Sequence, residues 1–248
     1  MYYVIQENLF KETNFNILID ILERHKLEYE VIKWRPFADE IELQTDRKDI
    51  VCFGGVSLIK MAMKYGWQPG VFFNEFHDME VYMKAYGDHM LNSDGVCIDH
   101  TQSLPEFLDE YFFARPTKDT KLFSGGIFTR DTWKDWSEGL EPARIFVANT
   151  KPIEKEIRCW IVDGKVVTIS LYKLGKKGFQ QDYDHEQEAI DFAQKMVDIY
   201  APSRAFVLDI CLSEGEYKIV EINCINSAGF YDANMSKLIQ AIETMKYS

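Results

Sequence analysis

Short apolar runs alternate with a helical pattern at the start of the chain. Residues 2–6 and 29–34 are apolar runs, and apolar side chains recur at helical spacing between about 13 and 22. A strand, a helix and a strand in close succession predict a βαβ unit with a parallel strand pair. The first lobe is therefore expected to be of the α/β class.

A glycine pair follows the next predicted strand, at 49–53, and precedes a predicted helix. Gly54-Gly55 is either a plain tight turn or a loop that contacts a ligand at the helix N-terminus. The pair lacks the remaining glycine of G-x-G-x-x-G, so the sequence leaves both interpretations open. Residues 69–105 are irregular and aromatic, with one short helix predicted at 78–86.

The pattern changes to strands and hairpins after residue 105. The predicted elements are strands at 110–115, 144–149, 154–162, 165–173, 204–212 and 216–223, and helices at 185–200 and 233–245. Asp163-Gly164 is typical of a type I′ hairpin turn. We expect an α/β (α+β) fold with an N-terminal α/β lobe at 1–105 and a strand-rich region at 106–248 that packs closely against it.

Composition narrows the possible partners. The chain of 248 residues is 46% hydrophobic and 27% charged, which is ordinary for a globular protein. Its formal net charge of −12 argues against a long non-specific nucleic-acid interface, although a local cationic pocket for a nucleotide remains compatible with it. No apolar run approaches a membrane span, and the N-terminal residues lack the features of a signal peptide.

The five cysteines are scattered and include no C-x-x-C pair. Four of them lie in apolar, strand-like segments, which predicts buried and reduced thiols. A soluble protein of the reducing cytoplasm is the expectation that fits this pattern.

The most informative segment is the last predicted hairpin, which carries Asp209, Glu221 and Asn223. Glu221 and Asn223 share one strand face because side chains alternate. Asp209 joins them if the loop around Gly215 has an odd number of residues, whereas an even loop sends it to the opposite face. Two carboxylates and an amide oxygen suit Mg²⁺. The alternatives are that the carboxylates pair with Arg or Lys, or that the strands are half exposed.

A cationic face is predicted on the preceding hairpin. Alternation places Glu156 and Arg158 on one side, and counting from a two-residue turn puts Ile169 opposite Arg158 and adds Lys173 to the same polar face. This face is either part of a site or a surface ladder of ion pairs that stabilises little.

A second cationic cluster brackets a glycine-containing loop. Arg115, Lys118 and Lys121 precede Ser124-Gly125-Gly126. The glycines permit a backbone whose N–H groups cover phosphates, but a solvated turn explains the loop equally well.

In this order, the segments resemble the ATP-grasp superfamily. Phe113-Ala114-Arg115-Pro116 is similar to the family's strand ending in Lys-Pro, with Arg115 in place of the phosphate-binding lysine. The loop through Lys121 and Ser124-Gly125-Gly126 resembles the phosphate flap. Residues 144–152 resemble the hinge that receives adenine, which makes Val147 and Asn149 candidate nucleotide contacts.

The remaining matches concern the second half of the site. Glu156 and Arg158 fall at the family's E-x-R position, which serves ribose and phosphate, and D-x(11)-E-x-N matches its metal triad of Asp209, Glu221 and Asn223. The loop with Asn226, Ser227 and Gly229 resembles the one that faces the second substrate. The likeness is strongest to small phage and bacterial members.

The resemblance implies a cytoplasmic Mg²⁺- and ATP-dependent ligase that joins a carboxylate to an amine through an acyl phosphate. The substrates would be small molecules or peptides. Arg115 and Lys121 would clamp phosphates, Arg158 would stabilise the acyl phosphate and Lys173 would be a further phosphate contact. An ATP-grasp kinase and a non-catalytic ATP-binding or interaction module are the alternatives. Asp209→Asn and Glu221→Gln should each abolish ATP turnover and leave the fold intact.

Overall fold

The computed structural model of the chain describes residues 1–7, 14–33, 40–118 and 122–245. The strands are β1 (Tyr2–Gln6), β2 (Glu28–Ile32), β3 (Ile50–Phe53), β4 (Val96–Asp99), β5 (Phe112–Pro116), β6 (Gly126–Phe128), β7 (Arg144–Asn149), β8 (Lys155–Val162), β9 (Lys165–Leu174), β10 (Lys177–Asp182), β11 (Ala205–Ser213) and β12 (Glu216–Asn223). The α-helices are α1 (Asn14–Arg24), α2 (Val56–Tyr65), α3 (Met79–Tyr86), α4 (Arg130–Ser137), α5 (Gln187–Ile199) and α6 (Met235–Thr244). In the described ranges, no helix is long and apolar enough to cross a membrane.

The first three strands form a parallel sheet in the order β2-β1-β3, so the predicted βαβ unit is confirmed. α1 packs on it through Leu18, Ile21 and Leu22, whose spacing places them on one helix face. Every residue of β3 is buried, as expected for a strand covered on both faces.

Two mainly antiparallel sheets follow. One has five strands in the order β10-β9-β8-β11-β12, and the other has four in the order β4-β7-β5-β6. β4 precedes the boundary predicted near residue 105, yet it pairs with β7, so the four-stranded sheet spans that boundary. The mixed α/β architecture with antiparallel sheets agrees with the predicted fold class.

One hydrophobic core joins the N-terminal sheet to the five-stranded sheet. Tyr3 and Phe53 from the parallel sheet share a cluster of buried residues with Trp160 and Val207. Leu238 of α6 belongs to the same cluster. The two sheets therefore form one continuous interior, which holds the loop after β12 in a fixed position.

The turn between β11 and β12 differs from the expected one. Ser213 pairs with Glu216, so the loop consists of Glu214 and Gly215, an even number of residues. Both have positive φ, 52° and 81°, which matches a two-residue type I′ turn. A regular ladder from this turn would place Val220, not Glu221, opposite Asp209.

A β-bulge restores the arrangement. Ile210 pairs with Ile219, and the next pair is Asp209 with Glu221, so Val220 is an extra residue on β12. The assumption of an odd loop was wrong, but the bulge supplies the same change of parity. Asp209 and Glu221 thus lie directly opposite each other.

Two bulges also change the register between β8 and β9. Arg158 pairs with Ser170 rather than with the predicted Ile169, and Glu156 pairs directly with Lys173. Since two extra residues shift the ladder by two positions, the predicted polar face survives the incorrect count.

Candidate active site

A cavity of about 510 Å³ lies where the four-stranded sheet meets the five-stranded sheet. Its volume is within the range usual for small-molecule pockets. The apolar lining residues are Met79, Leu91, Phe113, Phe123, Ile127, Ile153 and Val220. The polar and charged lining residues include Asn92, Arg115, Lys118, Ser124, Lys151, Glu156, Lys173, Glu221 and Asn223. This mixture suits a ligand with an apolar ring system and anionic groups.

Asp209, Glu221 and Asn223 converge beside this cavity. Nδ2 of Asn223 lies 2.9 Å from Oδ2 of Asp209 and 2.8 Å from Oε1 of Glu221. Glu221 and Asn223 line the cavity, whereas Asp209 lies behind them with 0% of its surface exposed. The structure therefore brings together the three side chains that the sequence singled out.

Each carboxylate is paired with an arginine. Arg158 makes a bidentate ion pair with Asp209, with Nε–Oδ1 and Nη2–Oδ2 distances of 2.8 and 2.7 Å. Nη1 of Arg115 donates to Oε2 of Glu221. These are the contacts of the alternative in which the carboxylates pair with arginine. They neutralise the charges without moving the carboxylates out of the site.

The two carboxylates titrate in opposite directions. Burial raises the pKa of Asp209 to about 6, although the Arg158 guanidinium opposes this shift. Burial also acts to raise the pKa of Glu221, but the Arg115 charge and the Asn223 hydrogen bond outweigh it, so that pKa is lowered. Glu221 is consequently the more firmly ionised of the two.

The residues fit Mg²⁺ by the chemistry of their donor atoms. Within the described residues, no group of three or more His, Cys, Asp or Glu side chains is placed to hold a metal ion. Two carboxylates and an amide are nevertheless adequate for Mg²⁺, which typically uses one or two protein carboxylates plus phosphate and water oxygens. A 180° turn of the Asn223 amide places Oδ1 where Nδ2 lies, so all three side chains can offer oxygen.

Two tyrosines that sequence reasoning missed enclose Arg158. Its guanidinium lies 4.8 Å from the ring centre of Tyr231 and 5.4 Å from that of Tyr172, and the two rings stack 4.8 Å apart. The Tyr172 hydroxyl donates to Oε2 of Glu156 at 2.6 Å, and Lys173 pairs with Oε1. The predicted face of Glu156, Arg158 and Lys173 is thus a partly buried network, not an exposed ladder.

The predicted hinge contacts lie away from the cavity. Val147 is fully buried in the four-stranded sheet, where its backbone is paired on both sides. The Asn149 side chain instead holds a neighbouring loop, accepting from the Asp109 N–H at 2.7 Å and donating to the Phe107 carbonyl. The residues just after them, Thr150, Lys151 and Ile153, line the cavity. Lys121 lies outside the described residues.

The glycine-containing segment reaches the cavity through Ser124, Gly125 and Gly126. A Cβ on Gly125 would lie 2.8 Å from the Phe113 ring, so a larger residue would displace a residue of the cavity wall. Close packing here explains one of the two glycines independently of any ligand.

The loop after β12 is tied to the N-terminal sheet by Asn226. Its buried side chain accepts from the Phe72 N–H at 2.9 Å and donates to the carbonyls of Cys52 and Gly70 at 2.7 and 3.1 Å. All of the amide is therefore used within the protein. The structure does not place Asn226 in the cavity, contrary to the substrate contact expected for it.

The two other residues of this loop have different surroundings. The Gly229 carbonyl accepts from Nη1 of Arg158 at 3.3 Å, while Ser227 is half-buried and lines neither cavity. Gly54 donates to the Asn226 carbonyl at 2.8 Å, and a Cβ there would lie 2.4 Å from Leu58. These contacts favour the tight-turn interpretation of Gly54-Gly55.

Asn226→Ala is expected to lower the free energy of unfolding by about 2–4 kcal/mol, because three buried backbone groups lose their partner. Urea unfolding measures the loss. Ser227→Ala is the matched control and should change stability by less than about 0.5 kcal/mol. An equal effect of both substitutions would contradict the proposed tie between the lobes.

Comparisons with known proteins address the fold and the family. A family model described as an ATP-grasp domain, family 3 of its clade, matches residues 39–242. No curated protein matches the chain.

Solved structures match over almost the whole chain. D-alanine–D-alanine ligase from Bacillus anthracis, complexed with ATP, superposes with a TM-score of 0.67 at 16% identity over 98% of this chain and 96% of that one. D-cycloserine synthetase DcsG gives 0.62 at 10% identity, covering 97% and 98%. The ATP-grasp ligase PsnB, complexed with a minimal precursor, gives 0.59 at 11% identity, covering 98% and 97%. At these identities the likeness is one of fold.

Proposed function

The chain belongs to the ATP-grasp domain family, and from this premise we propose that it is an ATP-dependent ligase. It would join a carboxylate to an amine through an acyl phosphate and release ADP and phosphate. The observation that carries the proposal is the convergence of Asp209, Glu221 and Asn223 beside a cavity that also contains Arg115 and the Ser124–Gly126 segment.

Asp209, Glu221 and Asn223 are the residues proposed to hold Mg²⁺. When bound there, the ion would supply positive charge to the phosphate oxygens of ATP and so favour transfer of the γ-phosphoryl group. Asn223 would contribute by turning its amide, since its nitrogen now faces both carboxylates.

Arg115 would exchange one anionic partner for another. Its ion pair with Glu221 borders the cavity, and both side chains are partly exposed, at 14% and 26%. An arginine binds phosphate with the same planar fork with which it binds a carboxylate. Transfer of Arg115 to the triphosphate would therefore leave Glu221 available as a ligand.

The chemical steps need positioning more than covalent help from the protein. A substrate carboxylate oxygen attacks the γ-phosphorus, a P–O bond forms, the bond to the β-phosphate oxygen breaks, and ADP leaves. The amine then attacks the acyl carbon, a C–N bond forms, the C–O bond to phosphate breaks, and the nitrogen loses a proton.

The cationic residues take different roles from those first expected. Arg158 is only 7% exposed and is held by Asp209, so we assign it to fixing the position of that carboxylate. Lys173 lines the cavity and lies 40% exposed, which makes it the better candidate for contact with the acyl phosphate.

The fold neighbours support a ligase. They include ligases and synthetases of small molecules and a peptide-modifying ligase solved with its precursor, Mg and ADP. We propose ATP with Mg²⁺, and a small-molecule or peptide pair of carboxylate and amine, as the substrates of this chain.

The test combines binding and product analysis. Calorimetry with Mg²⁺ and a non-hydrolysable ATP analogue should show binding, and mass spectrometry after incubation with Mg²⁺-ATP and pooled metabolites and peptides should show a condensed product with ADP. A stable phosphorylated product alone would indicate a kinase. Binding without ADP formation across the pool would indicate a non-catalytic module, and either result would overturn the ligase.

A further inference from the structure

A second cavity, of about 630 Å³, adjoins the first along β9 and β10. Tyr172 and Lys173 line both cavities, so a molecule in the second would reach the first past these two side chains. Its other walls are the β10 residues Gly178, Phe179 and Gln180 and the loop residue Tyr231. This neighbouring space would bring a second substrate close to the proposed phosphate site.

β10 is an open edge of the five-stranded sheet. It pairs only with β9 in the described part of the chain, and all six of its residues are exposed. The Tyr183 N–H donates inward to Ile169, whereas the Asp182 N–H donates outward to Asp232, so alternation directs the Gln180 backbone outward as well. Such an edge pairs readily with an extended chain.

The charge beside this edge is positive although the protein is strongly acidic. Lys173, Lys176 and Lys177 cluster at the β9–β10 turn in a chain of net charge −12. Among the described residues, neither Lys176 nor Lys177 has an ion-pair partner, and no acidic side chain lines the second cavity. An anionic ligand would therefore be favoured at this end of β10.

The cavity also offers aromatic surface. Tyr172 and Tyr231 present stacked rings, and Phe179 is 43% exposed on β10. Tyr231 has a φ of 48°, a left-handed conformation that costs a non-glycine residue on the order of 1–3 kcal/mol and that packing must hold in place. These rings would accommodate an apolar side chain next to an acidic one.

We propose that the second substrate is an extended acidic peptide that pairs with the outer edge of β10 and places its reactive carboxylate beside Lys173. Main-chain hydrogen bonds to β10 would supply affinity, and Lys176 and Lys177 would select negative charge. The inference rests on the proposed ligase function, because the peptide would supply the carboxylate that ATP activates.

The experiment measures fluorescence anisotropy of labelled hexapeptides that alternate Glu with Val, Leu or Phe, in the presence of Mg²⁺ and a non-hydrolysable ATP analogue. Lys176→Glu with Lys177→Glu should weaken binding about tenfold or more. The matched control is Lys60→Glu with Lys195→Glu, an equal charge change on exposed faces of α2 and α5, and it should weaken binding less than about twofold.

A second comparison isolates the strand pairing. Gln180→Pro removes one outward backbone donor and should weaken binding by about tenfold, while Gln180→Ala should not. A peptide of equal charge whose alternate residues are proline should bind no better than the Lys-for-Glu peptide.

Four results would overturn the proposal: no binding by any acidic peptide, equal binding by the proline peptide, equal effects of the two lysine pairs, or equally effective competition by free glutamate, which would indicate a small molecule. Calorimetry with the ATP analogue on the same variants separates this inference from the proposed function. Nucleotide binding that persists without peptide binding would reject the peptide alone, whereas loss of nucleotide binding by the unaltered protein would reject both.

Discussion

Glu221→Gln is expected to lower ATP turnover by about 10³-fold or more, because the side chain keeps its shape and loses the charge that a divalent cation and Arg115 both need. The protein should stay folded. The Arg115–Glu221 ion pair borders the cavity and is partly exposed, so its loss should cost at most about 1 kcal/mol of stability.

ADP release and thermal unfolding measure the two effects. Glu216→Gln is the matched control, since Glu216 lies exposed on the same strand and pairs only with Lys218 among the described residues. Turnover of the control should be unchanged. Full turnover by Glu221→Gln would remove the proposed metal site while leaving the assignment of the family untouched.

The elements with regular apolar periodicity could be predicted from the sequence, and those without it could not. α1, α5 and both hairpins are marked by periodic apolar residues and turn residues. β10 has an entirely exposed sequence, and α4 buries only Trp133, so neither carries a hydrophobic pattern. Both are held by neighbours that are distant in sequence.

The candidate site was predicted for a reason that was partly wrong. Alternation places Glu221 and Asn223 together, but the position of Asp209 depends on the extra residue Val220 and not on the loop length. A bulge changes which residues face each other while leaving the amino-acid pattern of the strands intact. Sequence alone therefore identified the three residues and could not establish their register.

Polar residues in loops posed a different problem. Asn149 and Asn226 are both candidates for ligand contact in the sequence, yet each satisfies backbone groups of another segment. The two roles require the same amide donor and acceptor, and only the tertiary fold shows which groups lack a partner.

The buried pair of Arg158 and Asp209 adds a stability cost that the sequence did not predict for Asp209→Asn. Asp209 is fully buried and Arg158 is 7% exposed, and they are joined by two hydrogen bonds. Removal of either charge leaves the other buried without its counter-ion. Asp209→Asn should therefore lower stability as well as turnover, in contrast to Glu221→Gln.

Arg158→Met and Asp209→Leu are each expected to lower the free energy of unfolding by about 3–5 kcal/mol, because a buried unpaired charge is costly. The double variant should be more stable than either single variant, since apolar side chains of similar volume replace both charges. Urea unfolding of the four proteins measures the coupling energy. If the two losses simply add, the two residues act independently of each other. Arg158 would then be stabilised mainly by Tyr172 and Tyr231, and the role assigned to it in positioning Asp209 would be lost.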